Sequence, residues 1–68
     1  MKKTEAIERL KAGDTLLYTN DPRYPSAHFK SDGEKLKFDI AFNLRYSEMV
    51  NIEKSQTAHG LEYITWKV

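Results

Sequence analysis

Histidines and serines are the side chains of this 68-residue chain that could support metal or nucleophilic chemistry. The two histidines, His28 and His59, are far apart and lack the short spacing of a metal-binding motif. None of the serines stands in a motif that would activate it, and loops with a single glycine cannot cradle a nucleotide phosphate. We therefore expect no catalytic residue, no metal site and no cofactor, and the chain is not expected to be an enzyme.

The carboxylates Asp39 and Glu48, and Glu53 and Glu62, can be paired on paper for acid–base work, but surface carboxylates are usually only solvated. The absence of cysteine excludes disulfides, thiolate catalysis and cysteine-bound zinc. The longest apolar runs are too short for a membrane span or a signal peptide. These features predict a cytoplasmic protein that acts by binding.

Composition predicts one folded domain over residues 1–68, because 40% of the residues are hydrophobic and 31% are charged, and hydrophobic periodicity makes that domain α+β. A chain this short needs nearly all of its apolar residues for its core. Tyr18, Tyr63 and Trp66 are therefore expected in the core. The formal charge of +1 gives no general argument for nucleic acid or a membrane, so a nucleic-acid surface would require local clustering of cations.

Hydrophobic periodicity and turn residues predict the order α-β-ββ-α-ββ. Thr4 is expected to cap the first helix, Asp32-Gly33 to form the turn of the middle hairpin, and Asp39 to cap the second helix. The predicted elements are a helix over 4–11, a strand over 15–19, a hairpin over 26–38, a helix over 39–48, and a hairpin of strands 50–53 and 62–68 with a polar tip over 54–60.

Two stretches resemble a known family. Leu44 to Ile52, followed by a polar loop and Tyr63-Ile64-Thr65, resembles the end of a winged-helix domain, and Ile7 to Leu16 is similar to the first helix and strand of small bacterial and prophage winged-helix proteins. The middle of the chain departs from that family, since a hairpin is predicted where a second helix is usual. The resemblance implies a winged-helix-like fold and a phage or prophage regulator of transcription.

That resemblance implies binding to double-stranded DNA, with helix 39–48 in the major groove and the tip 54–60 as the wing. Asn43 is the best base-reading candidate, because an asparagine amide can pair with adenine. A phosphate-tracking patch of lysines requires the two hairpins to lie side by side. The expected DNA contacts are Lys35, Lys37, Asn43, Arg45, Tyr46, Ser47, Lys54, Gln56 and Thr57.

The alternative hypothesis is a non-enzymatic protein-interaction module, such as a small modulator or toxin that binds a host protein. Its expected anchors are Arg23 and Tyr24 in a proline-flanked loop and Phe42 and Tyr46 on the second helix. A homodimer formed through the last strand is compatible with either hypothesis. Clustering of the cations beside the second helix would favour DNA, and their dispersal would favour a protein partner.

Overall fold

The computed structural model describes residues 1–56 and 60–67, and this part of the chain folds as a small α+β domain, as predicted. The order is α-β-β-α-β-β, with one strand fewer in the middle than predicted. The elements are α1 (Lys3–Lys11), β1 (Leu16–Thr19), β2 (Ser26–Phe29), α2 (Phe38–Arg45), β3 (Val50–Lys54) and β4 (Leu61–Trp66).

The four strands form one antiparallel sheet in the order β2-β1-β4-β3. Leu16 pairs with Phe29 on one side and with Ile64 on the other, and Ile64 pairs in turn with Ile52. The last strand, β4, therefore lies inside the sheet, between β1 and β3. The expectation that β4 offers a free edge for a homodimer is wrong, because the outer strands are β2 and β3.

The first helix begins at Lys3, so Thr4 lies inside its first turn and the prediction that Thr4 caps it is wrong. Ala6 and Leu10 are buried, as the periodicity predicts. The helix ends at Lys11, and Gly13 follows with a φ of +100°, a conformation that favours glycine.

The predicted middle hairpin forms only in part. Gly33 makes the expected turn with a φ of +73°, but Lys35 contributes only a single bridge to His28. The N–H of Phe29 donates to the carbonyl oxygen of Glu34 at 2.9 Å, so the returning segment follows the outer side of β2. The chain then leaves the sheet, since Phe38 already belongs to α2. Lys37 therefore caps α2 and belongs to no strand, which corrects the predicted hairpin over 26–38.

The second helix spans Phe38–Arg45 and is shorter than the predicted helix over 39–48. Lys37 occupies the cap position, so Asp39 lies in the first turn and is not the cap. A carboxylate there still interacts favourably with the helix dipole. The helix stops early because the next residues turn back toward β3: the N–H of Ser47 bonds to the carbonyl oxygen of Leu44 at 3.0 Å.

The core lies between one face of the sheet and the two helices. Its largest fully buried side chains include Tyr18, Leu16, Phe29 and Ile64 from the sheet. Tyr18 thus occupies the core as predicted, and Trp66 packs partly buried against it. Tyr63 does not, because neighbouring strand residues point to opposite faces and Tyr63 lies half-buried on the face away from the buried Ile64.

Within residues 1–56 and 60–67, no helix has the length and apolar character needed to cross a membrane.

Candidate interaction surface

The outward face of α2 carries a mixture of apolar and polar side chains. Ala41 and Leu44 are buried against the sheet, as the helical spacing predicts. Asp39, Asn43 and Tyr46 are exposed on the opposite side, and Phe42 lies beside them. The outward face therefore presents one anionic group, one amide and two aromatic rings.

A ladder of aromatic rings runs along α2 from the core to the surface. Phe38 stacks on the buried ring of Tyr18 with 5.3 Å between the ring centroids. Phe42 follows at 6.4 Å from Phe38, and Tyr46 meets Phe42 edge-on at 4.8 Å. Spacing of four residues places all three helix rings on one side of α2. Phe38 is anchored on the buried Tyr18 and contacts Phe42, which in turn contacts Tyr46. Phe42 and Tyr46 are therefore exposed, but their positions are fixed by these ring contacts.

Exposed large apolar side chains are concentrated in this region. Among the described residues they are Tyr24, Phe42, Tyr46, Met49 and Ile52. All except Tyr24 belong to α2, to β3 or to the turn that joins them. Tyr46 is 65% exposed and Met49 is 52% exposed. A local concentration of exposed apolar groups, unlike single scattered ones, is typical of an interaction site. We call Phe42, Tyr46 and Met49 the α2 surface.

Arg45 is bound inside the protein. Its Nε donates to Oε2 of Glu62 at 2.7 Å and its Nη2 donates to Oε1 at 2.9 Å. The Glu62 side chain is only 7% exposed, so the pair is largely shielded from water. The hydrogen bonds from Arg45 to Glu62 outweigh burial and raise the pKa of Arg45. Arg45 therefore ties the end of α2 to β4, and its charge is already neutralised.

The lysines expected to track phosphate lie apart. Lys35 bridges to His28 on the outer side of β2, whereas Lys54 ends β3 at the other side of the sheet. Four inter-strand spacings separate these positions across the sheet, about 19 Å. Lys37 stands at the start of α2 and Arg45 at its end. The condition set for a phosphate-tracking patch of Lys35, Lys37 and Lys54 is therefore not met, since β1 and β4 lie between the two outer strands.

The remaining residues predicted to contact DNA have mixed placements. Asn43 is fully available on the outward face of α2, and Gln56 is also exposed. Ser47 is half-buried, and its Oγ accepts the N–H of Met49 at 3.3 Å. Thr57 lies outside the described residues. The structure thus leaves Asn43 as the one strong polar candidate of the predicted set on the outward face of α2.

The other predicted protein anchors, Arg23 and Tyr24, lie in the turn between β1 and β2. Asp21 organises this turn: its Oδ1 accepts the N–H of Arg23 at 2.8 Å and its carbonyl oxygen accepts the N–H of Tyr24 at 3.1 Å. Tyr24 is 77% exposed. Asn20, Arg45 and Glu62 line one shallow hollow, so this turn and the end of α2 lie at the same end of the sheet.

A second charged cluster surrounds Arg9, and sequence reasoning missed it. The guanidinium of Arg9 binds Asp14 at 2.8 Å, Asp32 at 3.0 Å and Glu34 at 2.8 Å, and it lies 4.2 Å from the ring centroid of Phe29. These contacts fasten α1 to the turn after β2, so the carboxylates are occupied structurally. In the part of the chain that the structure describes, no three histidines or carboxylates are grouped to hold a metal ion.

Asp14 shows the balance of forces in this cluster. Burial would raise the pKa of its carboxyl, but hydrogen bonds from Ser31, Arg9 and the N–H of Thr15 together lower it. Asp14 is therefore held as a carboxylate that links two segments of the fold. Only its position just after α1 and Gly13 could have suggested such a role from sequence.

Comparison with known proteins adds no relative: no protein-family model, no curated protein and no solved structure matches this chain.

Proposed function

We propose that this protein acts by binding another protein through the α2 surface, without catalysing a reaction. The observation that supports this most strongly is the pair of exposed rings, Phe42 on α2 and Tyr46 directly after it, whose centroids lie 4.8 Å apart. Aromatic side chains that are held in place lose little conformational freedom on binding and often dominate interface energies.

The surroundings of these rings suit an apolar partner better than a polyanion. Tyr46 also lies 5.1 Å from the guanidinium of Arg45, which is neutralised by Glu62. Asp39 adds a negative charge to the outward face. The predicted criterion was clustering or dispersal of cations beside α2, and their dispersal favours a protein partner. The partner is expected to offer an apolar cleft that accepts one or both rings.

Site-specific photo-crosslinking in cells that naturally contain the protein tests this proposal. We expect benzoylphenylalanine at position 42 or 46 to crosslink to one discrete protein. The matched control is Tyr63, an aromatic residue on the opposite face of the sheet. Crosslinks of equal yield and identity from position 63 would contradict the proposed surface.

A substitution series then measures the energetics with the captured partner. Phe42→Ser combined with Tyr46→Ser is expected to weaken binding about 30- to 900-fold, since two anchors at about 1–2 kcal/mol each are lost. Tyr24→Ser removes the most exposed of the large apolar side chains among the described residues and serves as the matched control. A loss with Tyr24→Ser equal to that of the double variant would move the proposed site to the β1–β2 turn.

Sequence-specific DNA binding is the second candidate, and one observation favours it: Asn43 is exposed at the centre of the outward face of α2. Under this candidate the protein is a phage regulator with a winged-helix-like fold. The order of α1, β1, α2, β3 and β4 supports a winged-helix-like fold, although β2 stands where that family usually has a further helix. Under this candidate Asn43 reads a base and Lys54 contacts phosphate near the wing.

Fluorescence anisotropy with random-sequence duplex DNA at low and physiological salt separates the two candidates. The protein-binding proposal expects no measurable affinity at either salt concentration. Tight binding that falls steeply with salt, and weakens further with Asn43→Ala, would favour the DNA candidate and count against the α2 surface as a protein site.

A further inference from the structure

The two outer strands of the sheet differ in how their free edges are treated. The outer side of β2 is closed by the chain itself: the carbonyl oxygen of Ala27 accepts the N–H of Leu36 at 2.9 Å, and Phe29 bonds to Glu34 and Gly33 at 2.9 and 2.8 Å. An outer strand covered in this way cannot pair with another strand. Any strand addition to this sheet must therefore occur at β3.

The pairing of β3 with β4 shows which backbone groups remain outside. The N–H of Lys67 donates to the carbonyl oxygen of Met49 at 2.8 Å, and the N–H of Ser55 donates to that of Leu61 at 2.9 Å. Hydrogen-bonded pairs alternate in an antiparallel ladder, so the odd-numbered residues of β3 direct their backbone groups toward β4. Val50, Ile52 and Lys54 direct theirs away, and within residues 1–56 and 60–67 no backbone hydrogen bond closes this edge.

The charged side chains of β3, Glu53 and Lys54, lie at its C-terminal end, so its first three residues carry no charge. Its register with β4 runs without a bulge from Val50 to Lys54, and the strand contains no proline. Ile52, at its centre, is 39% exposed. Natural proteins usually interrupt such an edge with a proline, a bulge or a central charge. An uninterrupted edge with an apolar centre is suited to pairing with another strand.

We propose that β3 pairs antiparallel with β3 of a second copy of this chain, which joins the two sheets into one continuous sheet across a twofold axis. The inference rests on the backbone of β3 and does not depend on the proposed function of the α2 surface. Because both copies present the same edge, the pairing is self-complementary and closes as a dimer.

Side-chain complementarity selects the register. When Val50 faces Ile52 of the second copy, both members of the pair are apolar, and the twofold axis creates this pair twice. A shift by two residues places Ile52 against itself but sets Val50 against Lys54 twice. A further shift sets Ile52 against Lys54 and opposes Glu53 to Glu53. The first register matches apolar with apolar at both pairs, which cross-strand pairing favours.

The dimer is expected to be weak. One pair of short strands buries less surface than the roughly 1,600 Å² of a standard stable interface. We expect a Kd on the order of tens of micromolar. The twofold axis runs perpendicular to the sheet, so the α-helices of both copies lie on the same face, and dimerisation would present two α2 surfaces to a partner.

Analytical ultracentrifugation from about 5 to 500 µM protein tests the pairing, and this concentration range brackets the expected Kd. We expect Ile52→Lys to weaken dimerisation at least about tenfold, because it places a charge opposite Val50 of the second copy in both apolar pairs. The matched control is Glu53→Lys, which introduces a lysine at the next position, on the opposite face of the same strand and outside the apolar pairs. A monomer at all concentrations, or a dimer indifferent to Ile52→Lys, would overturn the proposal.

Amide hydrogen exchange gives a second test that needs no substitution. The N–H groups of Val50 and Ile52 are expected to exchange rapidly in dilute protein and to become protected at high concentration. Those of Asn51 and Glu53, bonded to β4, are expected to be protected at both concentrations. Failure of Ile52 to gain protection where sedimentation shows a dimer would place the dimer interface elsewhere and overturn the pairing. Since neither test involves a foreign partner, its outcome is independent of the crosslinking test of the α2 surface.

Discussion

Replacing Arg45 tests how the end of α2 is held to the sheet. Arg45→Met keeps most of the aliphatic length but leaves the Glu62 carboxylate, 7% exposed, without its two hydrogen bonds at 2.7 and 2.9 Å. Removing one partner of a fully buried pair costs about 3–5 kcal/mol. The Arg45 side chain is 21% exposed and Lys54 stands opposite Glu62 in the ladder, so we expect a smaller loss than for a fully buried pair, about 2–3 kcal/mol.

The two single substitutions should be unequal. Glu62→Gln leaves Arg45, which still reaches water, and is expected to cost about 1–2 kcal/mol. In a domain of this size each kcal/mol lowers Tm by about 4–8 °C, so Arg45→Met should lower it by about 10–20 °C. Thermal melts followed by circular dichroism measure both, together with the double variant Arg45→Met/Glu62→Gln.

A double-mutant cycle then isolates the interaction itself. We expect a coupling energy of about 1–2 kcal/mol, so the double variant loses less stability than the two single variants lose together. Arg23→Met, in the exposed β1–β2 turn, is the matched control and is expected to change stability by less than about 0.5 kcal/mol. Strict additivity, or a loss with Arg45→Met no larger than that of the control, would refute the reasoning.

Two further substitutions test buried polar groups. Tyr18→Phe is expected to raise stability by about 1 kcal/mol, because the Tyr18 hydroxyl is buried and has no hydrogen-bond partner among the described residues. Burial also raises the pKa of Tyr18. A loss of stability in urea unfolding would show that the hydroxyl does have a hydrogen-bond partner. Hydrogen bonds lower the pKa of the Asp14 carboxyl from its ordinary value despite partial burial, so its contribution to stability is present above that ordinary value and is lost as the pH falls through the folded-state pKa. Asp14→Asn should therefore melt below wild type at pH 7 and converge with it in acid, and a constant gap between pH 2 and pH 7 would contradict this.

Local signals in the sequence located most of the elements. Gly33 has a positive φ in the turn that the sequence predicts, and Gly13 has one just after the end of α1. Ala41 and Leu44 are buried at the helical spacing predicted for α2. These signals depend on neighbours within one turn of helix or one hairpin loop, so a single sequence displays them.

Errors arose where an element depends on a distant partner. Lys35 alternates with its neighbours like a strand residue, but a strand also needs a continuous ladder, and the chain turns Leu36 into the core and starts α2 at Phe38. Tyr46 lies beyond the helix because the connection to β3 begins there. Helix and strand ends are set by these competing contacts, which are not encoded in local spacing.

The candidate site divides in the same way. The helical spacing of Phe42 and Tyr46 and their proposed role as protein anchors could be read from sequence, and their exposure was settled by the way α2 rests on the sheet. Arg45 illustrates the opposite case, since nothing near it in the chain indicates that Glu62, 17 residues away, would occupy its guanidinium.

The sequence by itself determined the α+β class, the two helices and the turns, because each follows from hydrophobic period and from the backbone freedom of particular residues. The tertiary structure decided that β4 lies inside the sheet and β3 at its edge. It also decided that Lys35 and Lys54 lie apart, and that Arg45 serves the fold. These outcomes depend on strand order and on pairing between distant segments, which arise only when the whole chain packs around one core.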